Sequence, residues 1–243
     1  MCTLTWRSDG SALELRFNRD ELHSRAEAEP PRIFAGAARR WLAPLDPDGG
    51  GTWLGANDAG LVVALVNGYR GSDDSDKHWR SRGLLVVELL QLDGSEAVLD
   101  RLRATDLGMV RSFQLWIWSG GAAHLVHWDG GSLAHEQATR CATPLTSSSR
   151  DPQGATRERA ALLERLRAKH GETAEAERLF HASHEPARGP TSPCMHRDDA
   201  CTRSHALLRV DPARIEFQYH AASPCQVVAP VIAHLDRAPT TWN

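Results

Sequence analysis

The chain opens on alternation. In Thr3-Leu4-Thr5-Trp6 and Ala12-Leu13-Glu14-Leu15-Arg16-Phe17, polar and apolar residues take turns around Ser8-Asp9-Gly10-Ser11, and that period of two predicts a hairpin. From about residue 27 to 51 the pattern dissolves among Pro30-Pro31 and Asp46-Pro47-Asp48-Gly49-Gly50-Gly51, and no regular element is expected there. Residues 52–56 and 61–67 read as strands again, with Asn57-Asp58-Ala59-Gly60 as their turn. The second is apolar on both faces, which places it centrally in a sheet covered on both sides. A polar stretch follows it.

The period then changes. Leu84, Leu85, Glu88 and Leu89 follow helical spacing, so residues 81–92 read as a helix with Ser81 as N-cap, and residues 95–104 as a second. Strands resume at 112–118 and 124–128, joined at Ser119-Gly120-Gly121. Residues 153–170 form the clearest long helix, closed by Gly171. Residues 173–181 form another, with Thr173 as its N-cap. The tail returns to strands at 206–210, 214–219 and 226–234. Runs of strands and runs of helices in this order predict a layered α+β fold rather than a regular βαβ alternation. There is no internal repeat and no biased linker, so residues 1–243 are expected to form one domain.

Composition narrows the function classes. At 243 residues and 41% hydrophobic, the chain can bury a substantial core. A net charge of −3 lacks the basic footprint of a nucleic-acid binder. The N-terminus has no apolar h-region, so no secretory signal is expected. The longest apolar run, residues 61–66, is too short to span a bilayer. Five cysteines, an odd number, fit a reducing compartment, and the expected location is the cytoplasm.

The most informative residue is Cys2. Methionine aminopeptidases remove Met before small residues, so the mature chain would begin with a thiol and a free α-amine on one residue. An α-amine titrates near ~7.7–8.0 and a thiol near ~8.5, so the amine can accept the thiol proton and one residue supplies nucleophile and base. The end of the second hairpin strand, Asn18-Arg19-Asp20-Glu21, returns toward Cys2 and brings polar groups within reach of it.

Met1-Cys2, Asn18-Arg19-Asp20-Glu21, Arg25, Pro30, Gly50-Gly51-Thr52-Trp53-Leu54-Gly55, Asn67 and Ser81-Arg82-Gly83-Leu84 together resemble the NRDE family, that of the transport-and-Golgi-organisation protein and its bacterial relatives. Thr143-Pro144-Leu145-Thr146-Ser147-Ser148-Ser149 and Cys194-Met195-His196-Arg197-Asp198-Asp199-Ala200 agree with its bacterial branch. That family is similar to the cysteine N-terminal-nucleophile amidases that include penicillin V acylase and bile-salt hydrolase. The resemblance implies a four-layer αββα sandwich with the nucleophile on a central strand. It also implies roles: Cys2 attacks a carbonyl, Asp20 of the Asn18-Arg19-Asp20 motif holds the α-amine, and Asn67 donates to the oxyanion. Three positions depart from the amidases. Phe17 stands where they carry an Arg, for which Arg16 or Arg19 would substitute. Ser147, or a backbone N–H, would replace a second oxyanion Asn. Their late Arg corresponds to Arg197 or Arg203, with Arg197 favoured.

Other constellations compete. Cys194, His196, Cys201 and His205 are all zinc-ligand types, but they lack the usual closely spaced Cys pair, and no metal is expected. His124 with His127, and His181 with His184, raise haem as an alternative ligand; on a strand the first pair would face opposite sides. Arg39-Arg40-Trp41 and Arg80-Ser81-Arg82 are read as solvated or as satisfying loop carbonyls, and Trp116, Trp118 and Trp128 as core and sheet surface. Two readings result. One is a cysteine hydrolase cleaving a non-peptide amide, or a thioester, of a small acylated molecule, without cofactor. The other is a non-catalytic binding or chaperone protein holding haem or a lipid acyl chain. Nucleic acid is expected in neither.

Overall fold

The alternating opening forms β1 (Cys2–Ser8) and β2 (Leu13–Leu22), antiparallel, with Cys2 opposite Arg19. The computed structural model describes residues 2–69 and 79–238, so Met1 and most of the polar stretch after Asn67, residues 70–78, lie outside them. β3 (Glu29–Ala35) and β4 (Arg40–Leu45) precede β5 (Leu54–Asn57) and the buried β6 (Val62–Asn67). The helices α1 (Arg82–Leu89) and α2 (Ser95–Ala104) follow. Next come β7 (Phe113–Ser119), β8 (Ala122–Trp128), β9 (Leu133–Ala138) and β10 (Leu145–Ser147). After α3 (Pro152–His170) and α4 (Ala174–Ala182), the described chain closes with β11 (Ala200–Val210), β12 (Arg214–His220) and β13 (Val231–Asp236).

The strands make two antiparallel sheets, one ordered β10-β1-β2-β11-β12-β13 and the other β3-β4-β5-β6-β7-β8-β9. Strand parity decides what each sheet buries. Cys2, Leu4, Trp6, Leu15, Phe17, Leu208 and Phe217 meet Leu54, Val62, Ala64, Val66 and Trp116 in the core between the sheets. The opposite face of the seven-stranded sheet, with Leu61, Val63, Leu65, Leu115 and Ile117, packs on Leu85, Val86 and Leu89 of α1 and Val98, Leu99 and Leu102 of α2. α3 and α4 cover the outer face of the six-stranded sheet. The result is the expected αββα sandwich, with β6 central as its two-sided burial requires.

Residues 27–51, read from sequence as irregular, in fact hold β3 and β4, and β9 and β10 were also absent from the sequence reading. Three of these four are edge strands. β3 accommodates Pro30 and Pro31 where its pairing slips between Glu29 and Arg32, as prolines do at sheet edges. β9 is mostly exposed, so it has no alternation to show, and β10 pairs through only three residues. Ser81 sits at the N-cap of α1 but makes no side-chain cap bond, whereas Asp151 accepts from the Gly154 N–H at 2.8 Å and Thr173 from the Ala176 N–H at 3.3 Å. No helix among the described residues is long and apolar enough to cross a membrane.

One close approach joins the glycine-rich loop to α1. A Cβ on Gly51 would lie 2.2 Å from the Gly83 carbonyl carbon and 2.5 Å from the Leu84 nitrogen. Both atoms are backbone, so neither can turn aside. Gly51→Ala is expected to destabilise the protein by ~1–3 kcal/mol through overpacking. Chemical denaturation checks this, and an unchanged midpoint would show that α1 can shift without loss.

Candidate active site

Cys2 begins a strand flanked on both sides, Ser147 of β10 on one and Arg19 of β2 on the other. Its side chain points into the layer between the sheets, 6% exposed, and its backbone nitrogen donates to Ser147 Oγ at 3.2 Å. Burial pushes the thiol above its ordinary value. The positive chain terminus, Arg19 and the Asp20 backbone N–H act against that rise, and the Asp20 carboxylate adds to it.

Parity sends the neighbours the other way. Thr3, Thr5, Asn18 and Asp20 lie on the face toward α3 and α4, where a charged side chain waits. Arg159 of α3 is fully buried, and its Nη2 lies 3.7 Å from Asp20 Oδ2. Its Nη1 donates to Thr3 Oγ1 at 2.7 Å and to Thr146 Oγ1, and Thr146 Oγ1 donates in turn to the Cys2 carbonyl at 3.1 Å. The carbonyls of Pro190, Thr191 and Ser192 accept its remaining N–H groups. Asp20 Oδ1 accepts from Thr202 Oγ1 at 2.6 Å, and burial raises the Asp20 carboxyl against the pull of Arg159. One guanidinium thus ties the strand of Cys2, the strand of Asp20 and β10 to a single helix.

The thiol faces a cavity of about 290 Å³ lined by Cys2, Asn67, Trp53, Arg19 and Arg82, among others. Asn67 also borders a second cavity of about 410 Å³, whose walls include Ser147, Tyr69, Phe113, His127 and Trp128. Asn67 therefore stands between two hollows, one reaching the thiol and the other more aromatic. Arg19 stacks over Trp53 at 4.5 Å and lies 3.7 Å from both Glu21 and Asp46. Arg82 donates to the Ser112 carbonyl at 2.8 Å, and Arg80 pairs with Glu88.

Residues 1–214 match the family described as Transport and Golgi organisation 2. The chain belongs to that family. No curated protein matches it. Among solved structures it is similar to a mutant of conjugated bile acid hydrolase from Clostridium perfringens, with 13% identity and a TM-score of 0.55 over 97% of this chain and 92% of that one. It is also similar to the Caenorhabditis elegans ortholog of N-acylethanolamine-hydrolyzing acid amidase, with 11% identity and a TM-score of 0.59 over 86% of this chain and 92% of that one. At these identities the likeness shows the fold, that of the N-terminal-nucleophile hydrolases.

Within this Transport and Golgi organisation 2 fold, Cys2, Arg19, Asp20 and Asn67 all line the thiol's cavity. The remaining sequence expectations separate. Arg16 lies on the helix side, 3.2 Å from Glu14, so Arg19 is the arginine of this motif that reaches the cavity. Asn18 lies on the helix side, where its Nδ2 donates to the carbonyls of His181 and Pro193, each at 2.9 Å. Neither Arg197, paired with Asp199, nor Arg203, 3.5 Å from Glu27, lines the cavity. The arginine that lies behind the strand of Cys2 is Arg159. A signal for it existed, because Arg159 interrupts the apolar stripe Ala155, Leu162, Leu163 of α3 at helical spacing. Ser147, expected near an oxyanion, instead accepts from the Cys2 nitrogen.

Two outcomes follow from the polar layer. Arg159→Met deprives the buried Asp20 of its guanidinium partner and should cost ~3–5 kcal/mol, whereas adding Asp20→Asn should restore much of that loss. A double-mutant cycle in denaturant measures it, and simple additivity would mean that the two do not interact. Second, both Asn18 N–H bonds are spent on carbonyls, so its oxygen accepts from His205 Nδ1 at 2.8 Å. Burial pulls His205 down to about 3. An unfolded His titrates near ~6.5, so below that pH the unfolded state binds the extra proton and stability falls as pH drops toward the folded value. In His205→Gln the loss of Tm between neutral and mildly acidic pH should shrink; an unchanged acid slope would exclude His205 as its source.

Proposed function

We propose that the mature chain, shortened by Met1, is a cysteine N-terminal-nucleophile hydrolase that opens an amide, or a thioester, of a small acylated substrate. One observation carries this reading: Cys2 turns its thiol toward the cavity it shares with Asn67 while its own nitrogen rests on Ser147 Oγ. Once Met1 is gone, that nitrogen is an α-amine beside the thiol. It takes the thiol proton, and sulfur attacks the substrate carbonyl, whose π electrons move to oxygen. Asn67 donates its amide N–H to that oxyanion. Collapse breaks the C–N bond, and the leaving nitrogen takes the proton back from the α-ammonium. Water, deprotonated by the same amine, then releases the acid from the thioester and restores the thiol. Asp20, braced by Arg159 and Thr202, supplies the negative charge that holds the ammonium form. The described cavity walls carry Arg19, Arg25, Arg80, Arg82 and Arg111 against Asp20, Glu21 and Asp46, an excess of cations that favours a substrate bearing a carboxylate or phosphate.

A second reading rests on the aromatic hollow beyond Asn67. Tyr69, Phe113, Trp128 and His127 around about 410 Å³ suit a non-catalytic site for haem or a lipid acyl chain. Intact mass spectrometry on the purified protein, with and without a panel of acyl amides and thioesters, separates the two. The hydrolase reading expects a chain lacking Met1 and an acyl adduct that Cys2→Ala never forms. It also expects turnover reduced ~10²–10³-fold in Asn67→Ala. Retention of Met1, or adducts equal in Cys2→Ala, would refute it. Saturable haem binding weakened by Trp128→Ala would then favour the second.

A further inference from the structure

Away from the thiol's cavity, His184, Cys194, His196 and Cys225 bring four ligand atoms within 4.8 Å of one another. They come from two connections: His184, Cys194 and His196 from the one between α4 and β11, and Cys225 from the one between β12 and β13. This is not the quartet suggested by sequence alone. Cys201 lies 3.9 Å from His23, and His205 is held by Asn18. We propose that His184, Cys194, His196 and Cys225 form a tetrahedral Cys₂His₂ site for Zn²⁺.

The spacing supports a metal rather than chance proximity. His196 Nε2 lies 3.4 Å from Cys194 Sγ and 3.5 Å from Cys225 Sγ. With Zn–S near ~2.3 Å and Zn–N near ~2.0–2.1 Å, neighbouring S and N ligands of a tetrahedral zinc stand ~3.5–3.6 Å apart. The His184 and His196 rings meet edge-on at 65°, their centroids 5.0 Å apart, so both can aim a nitrogen at one centre. His184 Nε2 is buried with no hydrogen-bond partner among the described residues, an arrangement that a cation would satisfy. Two thiolates with two imidazoles is a soft donor set, suited to zinc and not to magnesium or calcium. Binding exchanges two thiol protons for one Zn²⁺, leaving the site electrically neutral.

The site also has a structural reach. Between its first ligand, His184, and its second, Cys194, runs the segment that carries the Arg159 contacts. Pro190, Thr191 and Ser192 present their carbonyls to Arg159, and Pro193 presents its own to Asn18. The Met195 N–H donates to Thr202 Oγ1 at 2.9 Å, and Thr202 holds Asp20. A zinc at the four residues pins both ends of that segment and so fixes the carbonyls around the buried arginine.

The test uses full-length protein, stripped of metal, fully reduced and kept folded. Native mass spectrometry should show one tightly held Zn²⁺, and Co²⁺ used as a probe should give thiolate-to-metal charge-transfer absorption with tetrahedral d–d bands. Cys225→Ser, at the surface and therefore a mild change, and His184→Ala should each weaken Zn²⁺ binding at least tenfold. Cys201→Ser should leave it unchanged. Zinc should raise the Tm of the wild type more than that of Cys225→Ser. The proposal is overturned if the reduced, folded protein takes up no stoichiometric zinc, or if Cys225→Ser and His184→Ala bind it as wild type does. It is equally overturned if the purified native protein carries Cys194 and Cys225 as a disulfide, its mass lower by two hydrogens.

Discussion

A fully buried guanidinium organises the half of the molecule that matters for chemistry. Arg159 is fully buried, so every N–H must find a protein acceptor: these are Thr3, Thr146 and three loop carbonyls, with the Asp20 carboxylate alongside as its ion partner at 3.7 Å. These partners come from four separate stretches of chain. Such a pair adds little net stability compared with an apolar filling, but it strongly penalises any arrangement that leaves the charge alone. What it enforces is therefore position: the strand of Cys2, the carboxylate of Asp20 and the three residues of β10 can meet α3 in only one way.

The strand period turns this constraint into a division of labour. Cys2 and its apolar companions Leu4 and Trp6 face the opposite sheet, while Thr3 and Thr5 face the helices. The thiol is thus held from behind by a polar layer and opens forward into a cavity. The two helix–sheet interfaces differ accordingly. Beneath α1 and α2 the contact is apolar; beneath α3 and α4 it includes Arg16, Asn18, Asp20, Glu177, His181 and His205, buried and interlinked. Water exclusion strengthens such interactions, so the polar side is rigid where an apolar one would merely be packed.

Much of this was legible in the chain. Central elements announced themselves, β6 by its unbroken apolar run and the β1–β2 hairpin by its alternation. Cys2 was singled out by the chemistry of a thiol next to the terminus, and Asp20 and Asn67 by the family resemblance; all three line one cavity. The edge strands β3 and β9 were not legible, because both show water too much of their surface to leave a pattern. Arg159 escaped for a different reason: a single charged residue inside an apolar stripe looks like an imperfection of the stripe until its partner, well over a hundred residues away, is known. The grouping of His184 and Cys225 with Cys194 and His196 is likewise a property of how one loop folds back and meets another, which spacing along the chain does not encode.

The wide separation of these partners has a consequence for synthesis. At ribosomal rates of ~5–20 residues per second, roughly 10–40 s pass between emergence of the first hairpin and emergence of Thr202, the last group around Asp20. During that interval Ser147, Arg159 and β11 emerge one after another, and until the last of them residue 2 is incompletely enclosed and the terminus is open to an aminopeptidase. In the finished fold the same residue is 6% exposed. For a mature chain beginning at Cys2, maturation is thus a race decided by the order of translation: clipping acts on the nascent terminus, and completion of β11 ends the opportunity.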